Sequence, residues 1–175
     1  MHKSIRSRSW REIIGVKMKV TKEMVDQLKA ELKALENITN TEELDMGYLN
    51  RVRTLILKAR DYGINLTLKT KPLDVRFYET NLERSLKSAT EQASQGDPIL
   101  MESHLNSAVY AAKKLNQDIS DRVRGIRNTG YLCAIVDTIL ERERTTDPEQ
   151  RHIYEIYIQN CARSIGVDLG DRLKE

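Results

Sequence analysis

The side chains best placed to do chemistry in this chain are basic. Arg122, Arg124 and Arg127 surround Gly125, and Lys113 and Lys114 stand a few residues upstream. Five cations gathered at a turn between helices are the residue types that bind phosphate oxygens. They form the candidate nucleic-acid contact. Lys69, Lys71 and Arg76 occupy related places earlier in the chain. Acids are interleaved with them: Asp118 and Asp121 precede the arginines, and Asp74 precedes Arg76. That mixture is also the pattern of a solvated, charge-balanced face.

Metal and catalytic signatures are weaker. His104, His152, Cys133 and Cys161 are zinc-ligating types, but no two have the close spacing of a zinc site and the cysteines are too far apart for a CxxC pair. No metal or cofactor is expected. The chain has no nucleophile elbow, phosphate loop or dinucleotide fingerprint, and Gly125 and Gly130 flank Ile-Arg-Asn-Thr rather than a phosphate-cradling loop. Glu102 beside His104, and His152 three residues before Glu155, are spacings common on any helix. No catalytic residue is nominated, and the expected class is non-enzymatic.

Composition bounds the partners further. The +3 net charge is concentrated in residues 1–17, where Lys3, Arg6, Arg8, Arg11 and Lys17 face only Glu12. That surplus exceeds the charge of the whole chain, so the remainder is slightly acidic and gives no general reason to bind a polyanion. The segment has the composition of a nucleic-acid or membrane arm, of a transit peptide, or of a translated leader before a true start at Met18. The last is preferred, because Gly15-Val16-Lys17 is what a purine-rich ribosome-binding site would encode. No apolar run approaches the ~18 residues of a membrane span, so no membrane partner is expected. Two cysteines do not make a disulfide framework, which fits a reduced, cytoplasmic protein.

The elements that would position these residues are helices. Only 8 glycines and 3 prolines interrupt 175 residues, so breakers are too sparse for a strand-rich fold. Thr21 is an N-cap for a helix reaching Glu36, with Met24, Val25, Leu28, Leu32 and Leu35 as its apolar stripe. Thr41 is expected to cap a second helix that Gly63 stops, and Pro72 to open a third running to about Ser94. Asp97-Pro98 and Asp147-Pro148 are N-cap and first-turn pairs that open a fourth and a sixth helix. A fifth spans about Ser120 to Arg144, with Gly125 and Gly130 as weak points. The fold class is all-α, either stacked antiparallel helix pairs or a compact bundle of about six helices.

Within this pattern the chain matches itself at an offset of 53 residues. Val52 meets Leu105, Ala59 meets Ala112, Arg60 meets Lys113, Gly63 meets Asn116, Asn65 meets Asp118, Leu66 meets Ile119 and Tyr78 meets Tyr131. A shorter match at 50 residues sets Ala112 on Ala162, Asn116 on Gly166 and Asp118 on Asp168. The period does not fit tetratricopeptide or ankyrin units. Residues 18–175 are expected to form one helical domain with units at about 45–96 and 97–146 and a half unit at 147–175. Gly63, Asn116 and Gly166 would take the left-handed conformation that closes a helix, and Asn65, Asp118 and Asp168 would cap the next segment. Ile153, Ile156 and Ile158 beside Tyr154 and Tyr157 make the last helix apolar around its circumference, so it is buried by the tail or pairs as a homodimer. The expected role is a protein–protein interaction or scaffold protein. A helical nucleic-acid-binding protein using residues 113–127 is the alternative.

Overall fold

A computed structural model describes residues 20–169, and the basic segment 1–17 lies outside the described residues. Those residues form six α-helices: α1 (Lys22–Glu36), α2 (Met46–Asp61), α3 (Thr67–Ser94), α4 (Pro98–Leu115), α5 (Ser120–Arg144) and α6 (Pro148–Ser164). A single 3₁₀ turn, Thr41–Glu43, precedes α2, and no strand occurs among the described residues. The all-α class expected from the sequence is what the chain adopts.

The helix starts follow from side-chain acceptors. Thr21 accepts from the Met24 N–H at 3.3 Å. Asp97 accepts from Ile99 and Leu100 at 3.1 and 3.0 Å, and Asp147 from Glu149 at 2.9 Å. Each satisfies first-turn donors that have no partner within the helix.

Two expected starts are displaced. Asn40, whose side chain accepts from Glu42 at 3.0 Å, caps only the 3₁₀ turn. Leu44 leaves helical geometry there and is buried. Asp45 then caps α2 through the Tyr48 N–H at 2.9 Å, and these bonds hold its carboxyl below the usual range. Helix α3 likewise starts five residues before Pro72, because Asn65 accepts from the Thr67 N–H at 2.9 Å. Pro72 cannot donate to the Leu68 carbonyl one turn back, but Leu68 is exposed, so water reaches that position.

Four helix ends close in one way. One is at Gly96 (φ 67°), where the Gly96 N–H donates to the Ala93 carbonyl at 3.2 Å and the Asp97 N–H to that of Gln92 at 3.1 Å. At the other three, Gly63, Asn116 and Gly166 have φ of 76°, 55° and 77°. The N–H that comes after each one reaches back to the carbonyl of Ala59, Ala112 or Ala162 at 2.9 Å. The residue in the left-handed position donates to the carbonyl of Arg60, Lys113 or Arg163. This double bond pattern consumes carbonyls that a helix end leaves open. The alanines are buried, so the closing turn sits against the core with no side chain in the way. Past the turn, Leu66 and Ile119 are buried and start the next helix by accepting from Thr70 and Val123.

The chain divides into two compact units, with the boundary at Phe77 and Tyr78 inside α3. In the first, α1 packs on α2. Leu28, Leu35, Tyr48, Leu49, Val52 and Leu55 are buried there, and Lys58 bridges to Glu31 at 2.5 Å. Tyr48 is fully buried, its hydroxyl has no hydrogen-bond partner among the described residues, and burial pushes its pKa up.

In the second unit the core runs Leu82, Leu86, Ala89, Ala93 on α3, Met101, Leu105, Ala108, Ala112 on α4, and Ile119 and Val123 beyond. Both helices use the same i, i+4, i+7, i+11 spacing, one stripe per helix. Much of that stripe is alanine. Helix α5 crosses it at Gly130, where an added Cβ would overlap the Met101 sulfur and lie 3.2 Å from the Ala93 Cα. Gly130 is therefore a packing position and α5 is continuous through it, contrary to its expected role as a weak point. Gly125 has nothing within 4 Å of such an atom.

Three substitutions test this packing through urea denaturation midpoints. Gly130→Ala is expected to destabilise by about 1–3 kcal/mol, the usual cost of overpacking. Gly125→Ala should stabilise by about 0.5–1 kcal/mol, because glycine is penalised in an open helix interior. Tyr48→Phe should be neutral or stabilising by about 1 kcal/mol, since it removes a buried hydroxyl that makes no bond. A Tyr48→Phe loss of that size would show that the hydroxyl is satisfied.

Candidate functional site

The basic cluster is assembled at the start of α5, and its arginines are already engaged. Arg122 makes a two-pronged pair with Glu83 of α3 at 3.0 and 3.1 Å. Arg127 makes another with Glu102 of α4 at 2.6 and 2.9 Å. Arg124 bonds to Asp121 one turn earlier. These contacts lower the Glu83 pKa and raise those of Arg122 and Arg127, with the direct hydrogen bond as the largest cause in each case. Lys114 lies over the Tyr110 ring at 5.4 Å, and Tyr110 meets Tyr78 edge-on at 6.3 Å.

Three of the five cations share one groove. Lys113, Arg124 and Arg127 border an open groove of about 570 Å³ with Asn116, Asp118 and Ser120. Arg122 instead borders a second groove, of about 450 Å³, on the other side of α5. The structure thus places the two lysines at the end of α4 and the three arginines at the start of α5, sets Arg122 on a different groove from Lys113, Arg124 and Arg127, and balances the arginines with Glu83, Glu102 and Asp121.

Arg76 is used differently again. Its guanidinium donates to the Glu36 carbonyl at 3.4 Å and to the Ile38 carbonyl, closing the C-terminal end of α1 with a cation where the helix dipole favours one. Among the described residues no group of three or more His, Cys, Asp or Glu is gathered to hold a metal ion. Glu155 sits beside His152 at 3.8 Å, but its closer partner is Arg142 on α5, at 3.0 and 2.7 Å. That pair ties α5 to α6, the most extensively packed helices of the second unit. Arg142 holds the Glu155 carboxyl below the usual range. No described helix is long and apolar enough to cross a membrane.

The feature that motif searching missed is on the outer face of α5. Leu132, Val136 and Leu140, at i, i+4 and i+8, are 51%, 54% and 46% exposed. They lie opposite the inward positions Gly130 and Ala134, which are buried. Residues 128–140 carry one charge, Asp137, in a chain that is 31% charged. Asp137 turns toward the Gly96 turn, where its carboxylate would be 2.8 Å from an added Cβ. The outward stripe is therefore uncharged for about 20 Å of helix, at 1.5 Å per residue. Its ends are polar, with the Arg124–Asp121 and Arg127–Glu102 pairs before it and Glu141, Glu143 and Arg144 after it. Ile153, Ile156 and Tyr157 are similarly exposed on α6, whose buried face is Ile158, Cys161 and Ala162. The Tyr157 phenol is pushed up to about 12, first by burial and then by its hydrogen bond with Cys161, so it is neutral at physiological pH. Both cysteines are free thiols.

Compared with known protein families, curated proteins and solved structures, the chain matches none of them.

The Arg142–Glu155 pair has a pH signature. A carboxyl whose folded pKa is depressed stabilises the fold above its unfolded value, near 4.5, and that contribution disappears as pH falls through the depressed folded value. Arg142→Ala is expected to bring the Glu155 carboxyl back up toward 4.5 in a carboxyl ¹³C NMR titration and to flatten that part of the acid-side stability loss. An unmoved Glu155 titration would show that Arg142 does not set it.

Proposed function

We propose that this chain is a non-enzymatic interaction protein that binds another polypeptide through the apolar outer face of α5. One observation carries the reading: Leu132, Val136 and Leu140 form a regularly spaced stripe left exposed among the described residues. Single exposed apolar residues need no explanation, whereas a contiguous apolar face with polar ends is the form of a protein-docking surface. The match of Ala59, Gly63 and Asn65 to Ala112, Asn116 and Asp118 at an offset of 53, and of these to Ala162, Gly166 and Asp168 at 50, supports stacked helix pairs from a duplicated unit. The free thiols suit a reducing cellular interior.

The nucleic-acid alternative loses support from the ion pairs. Phosphate binding by Arg122, Arg124 and Arg127 would have to displace or tolerate three carboxylates already on them. The slightly acidic balance of the chain beyond residue 17 adds no long-range attraction for a polyanion.

The two readings separate in one retention experiment with the tagged full chain. Docking on α5 predicts one protein retained through 0.5 M salt (about half molar, where surface charge is screened within ~4–5 Å). Val136→Glu should abolish that retention, and Lys113→Ala with Arg124→Ala should leave it intact. Retention only on nucleic acid, lost at moderate salt and with the lysine and arginine variants but indifferent to Val136→Glu, would overturn the proposal in favour of the basic cluster.

A further inference from the structure

We infer that the corner joining α2 to α3 is a further docking surface, which takes an acidic, leucine-bearing segment of another polypeptide. The inference goes beyond the α5 reading and concerns the other compact unit. Its basis is a comparison of two corners that the chain builds alike. Gly63 and Asn116 are left-handed, and the N–H after each reaches back to Ala59 or Ala112 at 2.9 Å. Asn65 and Asp118 accept from the N–H of Thr67 and Ser120, at 2.9 Å in both cases. Leu66 and Ile119 then accept from Thr70 and Val123. At the offset of 53, Arg60, Lys69 and Lys71 hold the places of Lys113, Arg122 and Arg124.

The backbone is repeated and the acids are not. In the second corner Arg124 is engaged by Asp121, three residues before it. The matching residue before Lys71 is Leu68, which is 84% exposed. Glu102, which engages Arg127, is matched by the buried Leu49. Arg60, Lys69 and Lys71 are exposed, and no carboxylate among the described residues lies within ion-pair distance of them. Two acids do belong to this corner. Asp61 follows Arg60, but adjacent helical positions point about 100° apart. Asp74 is half-buried, where burial raises its pKa and Arg53 opposes the rise. With Arg53 the corner has four cations against those two acids.

The cations share their surface with aliphatic side chains. Leu68, Lys71, Pro72 and Val75 fall at i, i+3, i+4 and i+7, opposite the buried Thr70, Leu73 and Phe77. All four are exposed, along about 10 Å of helix. A ligand that satisfies the whole strip carries carboxylates on either side of an aliphatic residue. The carboxylates neutralise Arg60, Lys69 and Lys71, and the aliphatic residue covers Leu68. A nucleic-acid strand answers only half of this, because Leu68 and Val75 offer no aromatic ring on which a base can stack. An anionic bilayer presents one charge to every group at its surface, Asp61 included. A polypeptide can place its acids one at a time.

Amide shifts of the isotope-labelled full chain, followed while a peptide of Glu-Leu-Glu triplets is added, test the inference. The expected result is saturable shifts at Arg60, Leu68, Lys69 and Lys71, lost at ~0.5 M salt, where charges are screened within ~4–5 Å. Leu68→Asp installs the acid that stands at 121. It should leave circular dichroism unchanged and weaken binding about tenfold, as should Lys71→Glu. A peptide of glutamates alone should bind more weakly than the leucine-bearing one. No saturation by about 1 mM peptide, the weak end of specific binding, overturns the inference. So do shifts confined to the second corner or to α5, or binding that Leu68→Asp leaves unchanged. Tighter binding at this corner of oligodeoxythymidylate, or of phosphatidylserine vesicles, overturns it in favour of a phosphate chain or a lipid surface. Val136→Glu should leave these shifts intact while removing the salt-resistant retention, so the two surfaces fail separately.

Discussion

The second unit depends on how closely α5 can approach the pair formed by α3 and α4. Gly130 sets that distance. With no side chain there, the α5 backbone rests against Met101 and Ala93, and the neighbouring core positions Ala89, Ala108 and Ala112 keep the other two helices equally near. Close backbone approach gives many weak dispersion contacts over a short length, so little bulk is needed to hold the helix. The consequence appears on the opposite side. The large apolar residues of α5 at 132, 136 and 140 are not recruited into the core, because the space they would fill has been closed by small ones.

Helix ends were the most legible part of the fold. Asp97-Pro98, Asp147-Pro148, Thr21 and the left-handed positions at 63, 116 and 166 act within four or five residues, and their geometry is local. The two misplaced starts are local as well, but they involve competition between neighbouring caps. Thr41 and Asp45 both precede helix-compatible residues. Asp45 prevails because Leu44 must leave the helical path to reach the core, where it is almost wholly buried. At α3, Asn65 prevails over Pro72 because a proline in the second helical turn costs only one bond when the orphaned carbonyl faces water.

The candidate site was much less legible, for a reason of distance along the chain. The basic cluster could be read as five cations because its nearest acids, Asp118 and Asp121, were too few to neutralise it. Its decisive partners are Glu83, 39 residues away from Arg122, and Glu102, 25 residues away from Arg127. Arg76 likewise finds carbonyls 38 and 40 residues earlier. No local spacing rule contains those pairings; they exist only once the helices are packed. Pairs this exposed contribute little to stability, typically below about 1 kcal/mol each. Their effect is to set the direction of long side chains and to lower the free positive potential at the start of α5.

Helix α5 therefore separates two demands that usually fall on the same residues. Its inner face is constrained by volume, since an addition at Gly130 must displace the buried Met101 thioether and meets the Ala93 backbone at 3.2 Å. Its outer face, at Leu132, Val136 and Leu140, is left exposed among the described residues. Polar residues at 132, 136 and 140 would serve folding as well and solubility better, because exposed leucine and valine gain nothing from burial they do not have. Changes on that face should leave folding intact while altering association, whereas changes on the inner face must alter both. Ion pairs from Arg122, Arg127 and Arg142 join α5 to α3, α4 and α6 near its two ends, and none of them involves Leu132, Val136 or Leu140.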